Sequence, residues 1–286
     1  MELKSVNFKK PDIDSLKKQG FMCIDTHCHT NYSDGKKLNL ILRECKKKGI
    51  GIAITDHNEI KGALEAAKQK EVPVIPGIEI NSSDGPHFLC YFYNTSELED
   101  FYKRFIEPKK YLNIKNRINM SLLDIIDKLE TYNCVTCLPH PYAPLWANIN
   151  KMLVANPENK KVVEFVDAIE VISGLQRKAA NRRAQALQIL FGKASMAGSD
   201  AHGINEIGSC LTLAKAENIR DFLDAIRKKK TIAIGKEKIR QKAIHMTRVL
   251  RKGSKKITKI VFGKSMAEEI KNEESRVFEQ KRIGQT

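Results

Sequence analysis

Apolar positions fall into two alternating rhythms along the chain. Short runs dense in Ile, Val, Phe, Ala and Cys read as strands: "GIAIT" (51–55), "VPVIPG" (72–77), "HFLCYFY" (87–93), "CVTCL" (134–138), "DAIEVI" (167–172), "KASMAGS" (193–199) and "TIAI" (231–234). Phe21, Met22 and Ile24 open one more. Helical spacing lies between them. Leu38, Ile41, Leu42 and Cys45 stand at i, i+3, i+4 and i+7, and a helix is expected at about 60–70. Ile118, Leu122, Ile125, Ile126 and Leu129 mark another, a further one runs over roughly 177–191, and Ile219, Phe222, Leu223 and Ile226 mark the last. About seven βα units predict parallel strands with crossover helices, as an open sheet or a closed barrel.

After Gly235 the pattern changes. "KEKIRQKAIHMTRVLRKG" is basic and weakly helical, and "SMAEEIKNEESRVFEQKR" is a mixed-charge helix; neither holds apolar residues enough for its own core. The expected organisation is an N-terminal segment (1–20), a barrel domain (21–235) and a basic helical C-terminal extension (236–286).

Composition narrows the class. With 286 residues, 42% hydrophobic and 29% charged, the chain has the make-up of a folded globular protein. No apolar run approaches the ~20 residues that span a bilayer, so no membrane partner is expected. The first twenty residues lack the apolar centre of a secretory signal. Seven cysteines, an odd number scattered through apolar segments, suit reduced thiols and a cytoplasmic location. The net charge of +16 is uneven: residues 236–286 hold 15 Lys+Arg against 6 Asp+Glu, a net of +9. Such a tail can follow nucleic acid through charge alone, or be a solvated helical face. Phe262 and Phe278 are its only aromatics, which disfavours base stacking.

Candidate chemistry gathers at the carboxyl ends of the expected strands, where barrels and open α/β sheets keep their sites. "CIDTHCHTNYSDG" (23–35) supplies His27, His29 and, past a turn, Asp34. Alternate residues share a strand face, so Asp25, His27 and His29 are expected to point one way, the imidazoles about 7 Å apart at roughly 3.3 Å per residue. "TDHN" adds Asp56 and His57, "PGIEI" Glu79, "PHP" His140, and "GSDAHG" Asp200 and His202. His87 begins its run, so its strand should enter from the site. A cluster of six histidines with Asp34, Glu79 and Asp200 would be costly without a cation. Mixed imidazole and carboxylate donors suit Zn²⁺, Mn²⁺ or Fe²⁺, and nine donors exceed one ion's needs, which implies two or three ions and a bridging carboxylate. Cys134 and Cys137 are three apart on a strand, face opposite ways and read as core. The helix "GLQRKAANRRAQ" (174–185) offers Arg177, Lys178, Asn181 and Arg182 for a bound phosphate, as does Arg117, with a solvated face as the other reading.

The ordered set "DTHCHTNYSDG", "TDHN", "PGIEI", "HFLCYF", "PHP", "IEVISG" and "GSDAHG" resembles the PHP (polymerase and histidinol phosphatase) family over about residues 21–235. The resemblance implies a distorted (β/α)7 TIM-like barrel with a two- or three-metal site at its carboxyl face. It places His27, His29, Glu79 and Asp200 around a first metal, and Asp34, His57, Glu79, His87, His140 and His202 around the others. Asp25 and Asp56 are expected to orient neighbouring imidazoles, and Glu79, Asp200 and His202 to carry catalysis. No polymerase or helix-hairpin-helix module accompanies the motifs. The expected activity is a metal-dependent phosphoesterase hydrolysing a small monoester (a nucleotide, a histidinol-phosphate-like compound or a sugar phosphate) through a metal-bridging hydroxide. The alternatives are a nuclease or nucleotide phosphodiesterase gripping its substrate with the basic tail, and a non-catalytic binding barrel, which the complete donor set disfavours.

Overall fold

In the computed structural model, residues 3–110, 117–143, 149, 152–153 and 157–236 are described. The strands among them are β1 (Val6–Asn7), β2 (Met22–Cys28), β3 (Gly51–Ile54), β4 (Val74–Asn81), β5 (His87–Phe92), β6 (Cys134–Leu138), β7 (Ala168–Ser173), β8 (Ala194–Gly198), β9 (Cys210–Ala214) and β10 (Ile232–Gly235). They form one sheet in the order β1-β10-β9-β2-β3-β4-β5-β6-β7-β8. The segment that follows β8 returns to β2: Asp200 N–H donates to His27 O at 2.9 Å and His29 N–H to Ala201 O at 3.1 Å. Between the same elements, Thr26 Oγ1 donates to Ala197 O. These bonds bend the sheet into a nearly closed barrel.

The expected parallel pairing holds for part of the sheet, and β5 enters from the site end as expected for the run that starts at His87. The β2–β3, β3–β4, β6–β7, β7–β8 and β1–β10 pairs are parallel. β9 runs antiparallel to both β2 and β10, and β5 antiparallel to both β4 and β6. β5 follows β4 after five residues, too few for the crossover a parallel strand needs. β1 and α1 (Ile13–Lys18) belong to the same body, since β1 pairs with β10.

Two apolar layers result from the strand alternation. Ile24, Ala53, Ile75, Leu89, Tyr91, Val135, Cys137 and Met196 pack together with Phe222, Leu223 and Ile226 of α8 (Ile219–Arg227). Asn218 caps α8 by accepting from Asp221 N–H, and spacing of three and four puts those apolar residues on one face. Burying each such side chain stabilises by about 1.5–3 kcal/mol. The opposite strand faces carry Ile52, Ile54, Ile78, Ile80, Phe88 and Cys90, which join the larger cluster with α2 (Leu38–Lys48) and α5 (Leu122–Leu129). Cys134 sits in that outer layer and Cys137 in the inner one, as spacing by three on a strand requires. The remaining described helices are α3 (Lys61–Ala66), α4 (Thr95–Phe101), α6 (Lys160–Phe165) and α7 (Lys178–Phe191). The basic extension, His245 included, lies outside the described residues apart from Lys236.

Candidate metal centre

All nine expected donors converge on one end of the barrel. His27 lies in β2 with His29 just beyond its end; His57 follows β3, Glu79 lies in β4, His140 follows β6, and Asp200 and His202 follow β8. His87 begins β5, and because β5 is antiparallel to β4 its first residue lies at the same end. Asp34 comes from the turn after β2. That turn is tied down by Asp56, which accepts from Thr30 N–H and Thr30 Oγ1 at 2.7 Å and from Ser33 Oγ at 2.6 Å. Gly35 is required in the turn because a Cβ there would collide with the backbone of His29.

Glu79 is the hub. Its Oε1 lies 2.9 Å from His87 Nδ1 and 3.1 Å from His140 Nε2. Its Oε2 lies 2.9 Å from His57 Nδ1, 3.3 Å from His27 Nε2 and 3.4 Å from His29 Nε2. Asp200 Oδ1 is 3.2 Å from His29 Nε2 and 3.6 Å from His27 Nε2. At the outer end Asp34 Oδ2 is 3.2 Å from His202 Nε2 and 3.8 Å from His57 Nε2. Exposure runs from 53% at the Asp34 side chain and 32% at His202 to 0% at His29 and Glu79, so the cluster opens to solvent on the Asp34 side.

Charge and burial oppose each other here. Burial pushes the Glu79 carboxyl up, but the imidazoles of His57, His27 and His87 hold it well below its ordinary value. Burial likewise opposes ionisation of Asp200, and His27 and His29 overcome it. The hydrogen bond to Asp34 raises His202 to about 9. Burial raises Asp34, yet His202 and the neighbouring imidazoles bring it to about 2. Burial pushes the His29 ring down.

The donor set fits divalent metal. Glu79 Oε2 has three imidazole nitrogens within 3.4 Å yet no hydrogen bond, and Nδ1 of His29 and of His140 are buried and likewise unbonded among the described residues. A buried carboxylate oxygen crowded by imidazole nitrogens without hydrogen-bond alignment is placed as a ligand of a cation would be. Four groups have donor atoms within 4.8 Å of one another: His29–Asp34–His57–His202, His27–His29–Glu79, His27–His140–Asp200 and His57–Glu79–His87. Two of the donors, His140 (27°) and Asp200 (54°), and Asn58 (48°) beside His57 have positive φ. Such backbone is retained where surrounding contacts over-determine it, often at functional sites. Asn58, for example, donates its N–H to Glu79 O and accepts from Asn81 N–H.

The expected orienting roles of Asp25 and Asp56 change. Asp25 accepts from Ser199 N–H at 2.8 Å and Gly208 N–H at 2.7 Å, and burial raises its carboxyl to about 6. A register shift between Asp25 and Cys28 in the β2–β3 ladder separates it from the face of the two histidines. Asp25 and Asp56 both hold backbone that carries donors. The imidazole partner is Glu170, which strand reading left out: its Oε1 is 3.1 Å from His27 Nδ1. A lone carboxylate inside the apolar run "AIEVIS" was the available signal.

The expected phosphate binders divide. Asn181 has its amide engaged with both backbone groups of Ser173, and Arg182 is 2% exposed with its guanidinium over the Phe8 ring. Both are taken up by the fold. Arg177 stands half-buried just before α7 without capping it through its side chain, and Lys178 is exposed. Arg117 donates to Ser83 O at 3.4 Å, next to Ile118, whose N–H donates to Asn81 O beyond Glu79.

A nearly closed α/β barrel with a histidine- and carboxylate-lined cluster at one end defines a metal-dependent hydrolase. Residues 25–194, more than half of the chain, match the PHP domain, and residues 178–231 match the PHP-associated family. The chain belongs to the PHP family of metal-dependent phosphoesterases. It is 35% identical over 140 residues to an uncharacterized protein of Methanocaldococcus jannaschii, covering 43% of this chain and 70% of that one. In fold it is similar to the lesion-specific endonuclease PfuEndoQ from Pyrococcus furiosus (TM-score 0.59, 17% identity), over 74% of this chain and 57% of that chain. The chain thus spans little more than half of that endonuclease. It is also similar to PsfC from Pseudomonas syringae (TM-score 0.53, 16% identity), over 82% of this chain and 99% of that one.

Proposed function

We propose that the chain hydrolyses a small phosphate monoester at a centre of two or three divalent transition-metal ions, Mn, Zn or Fe. The observation that carries this reading is Glu79, whose two oxygens lie among the imidazoles of His27, His29, His57, His87 and His140. His27, His29, Glu79 and Asp200 would hold one ion; Asp34, His57, His87, His140 and His202, with Glu79 shared, would hold the others. Bound there, the ions supply Lewis-acid polarisation of phosphoryl oxygens and a water acidic enough to be a nucleophile at neutral pH. The donors already converge in the fold, which would limit reorganisation when the ions bind. Arg177, Lys178 and Arg117 are the candidates for the non-reacting phosphoryl oxygens. Donors buried at Glu79 and His29 and exposed at Asp34 and His202 suit a terminal phosphate reaching the ions from the Asp34 side. Seven free, buried cysteines accord with a reducing, cytoplasmic setting. No described helix is long and apolar enough to cross a membrane.

A second reading, a nuclease, is favoured by one observation. Endonuclease Q, similar in fold (TM-score 0.57, 17% identity), has been solved with a 27-mer duplex whose abasic lesion lies at the active site, and this chain carries a basic tail. Assaying one metal-reconstituted preparation against phosphorylated metabolites and against labelled oligonucleotides, intact and with an abasic site, separates the two. Turnover of monoesters without cleavage of any oligonucleotide supports the first reading; the reverse replaces it.

A further inference from the structure

We propose that Glu170 is a positioning residue of the metal centre, a single carboxylate that fixes the ring of His27 and the backbone of His140 together. The inference rests on the metal-site reading above and names a residue outside its donor set. Glu170 is 1% exposed and lies in β7, where the β7–β8 ladder shifts register between Glu170 and Ile172. A register shift of this kind re-aims a side chain. The two oxygens divide their work: Oε1 lies 3.1 Å from His27 Nδ1, and Oε2 accepts the His140 backbone N–H at 2.9 Å.

An ionised carboxylate only accepts. A Glu170 carboxylate accepting from His27 at 3.1 Å would place a ring proton on Nδ1 and leave Nε2 to meet a cation. That nitrogen faces Glu79 Oε2 at 3.3 Å, Asp200 Oδ1 at 3.6 Å and His29 Nε2 at 3.2 Å, the place where a cation would meet it. His140 has φ of 27°, a backbone that needs an anchor, and the same carboxylate provides one. Two donors from strands on opposite sides of β7 are thus set by one group. Gly198 makes the approach possible. A Cβ there would lie 2.7 Å from Glu170 Oε1 and 2.9 Å from the His27 backbone N.

Glutamine at this position keeps the shape but offers one acceptor and one donor. Its amide can accept from His27 Nδ1–H or from His140 N–H, never from both. Partners that orient a ligating histidine in this way are worth about 10–100-fold in metal affinity.

The test compares the full-length chain with Glu170→Gln. Zn²⁺ affinity is measured by competition with a chromophoric chelator, folding by circular dichroism, and the imidazole nitrogens of the zinc-loaded wild type by long-range ¹H–¹⁵N correlation. The expected result is a folded variant with affinity lowered about 10–100-fold, and a His27 signal in the wild type protonated at Nδ1 and metal-bound at Nε2. Affinity within twofold of wild type, or His27 bound through Nδ1, overturns the proposal. Should Glu170→Gln fail to fold, the wild-type His27 signal decides by itself. A wild type that takes up no Zn²⁺, Mn²⁺ or Fe²⁺ removes the metal-site reading and this one with it. Tight wild-type binding with an unaffected variant removes only the role of Glu170.

Discussion

His87 Nδ1 lies 2.9 Å from Glu79 Oε1 although the two are eight positions apart across a turn, because β5 folds back antiparallel on β4. Asn81 pairs with His87 in the same ladder, so the last residue of β4 meets the first of β5 beside the metal cluster. One hairpin therefore delivers both the hub carboxylate and one of its imidazoles.

Replacing Glu79 with Gln should be more damaging than replacing any single histidine. Its two oxygens lie within 3.4 Å of five imidazoles, and an amide cannot supply the charge that holds cations among them. A loss of at least about a hundredfold in kcat/KM, about 2.7 kcal/mol, is expected for Glu79→Gln. Steady-state kinetics beside the His27→Ala and His140→Ala variants ranks them. Near-wild-type turnover of Glu79→Gln would remove the shared-carboxylate assignment.

The convergence of the candidate donors was legible because barrels collect chemistry at strand ends, and "CVTCL" became β6 with the same bounds. Even the place of His87 followed from an apolar run that starts with it. What the pattern hid was β9, since "CLTLA" (210–214) is reached through a short 3₁₀ turn with no helix before it. A template of alternating strands and helices passes over such a strand. The exact face of Asp25 was hidden too, because a register shift is a property of two strands and period-two reading treats one. Glu170 was missed for a related reason: its partners come from β2 and from the loop after β6, far away in sequence.

The purified protein should carry more than one transition-metal ion per chain. Four overlapping donor groups are too many for one centre. Elemental analysis after reconstitution with Mn²⁺, Fe²⁺ or Zn²⁺ counts the ions, and one equivalent or fewer would defeat the multinuclear site. Stripping them should also lower the melting temperature, since a ligand of the native state stabilises it by mass action. Differential scanning fluorimetry with and without a chelator reads that shift.

Asp56→Ala should loosen the turn that carries Asp34. The substitution removes the acceptor of three hydrogen bonds, from Thr30 N–H, Thr30 Oγ1 and Ser33 Oγ, and Thr30 and Asp56 are buried. Leaving a buried donor unsatisfied costs about 1–3 kcal/mol. A loss of about 2 kcal/mol or more in urea unfolding is expected, together with weaker binding of the outermost ion. Stability within about 0.5 kcal/mol of wild type would show that the turn is held by other means.

The basic extension separates the two readings of the substrate. Its net charge of +9 comes with only Phe262 and Phe278 as aromatics, so charge would dominate any hold on nucleic acid. Removing residues 237–286 should leave hydrolysis of a small monoester unchanged per folded molecule, with folding checked by thermal melting. Affinity for a short single strand should be weak at physiological salt, and what exists at low salt should fall steeply as counterions compete. Fluorescence anisotropy at both salt concentrations, with and without the extension, measures this. Tight binding at physiological salt that disappears on truncation would instead make the extension a nucleic-acid grip, and the hydrolase a nuclease.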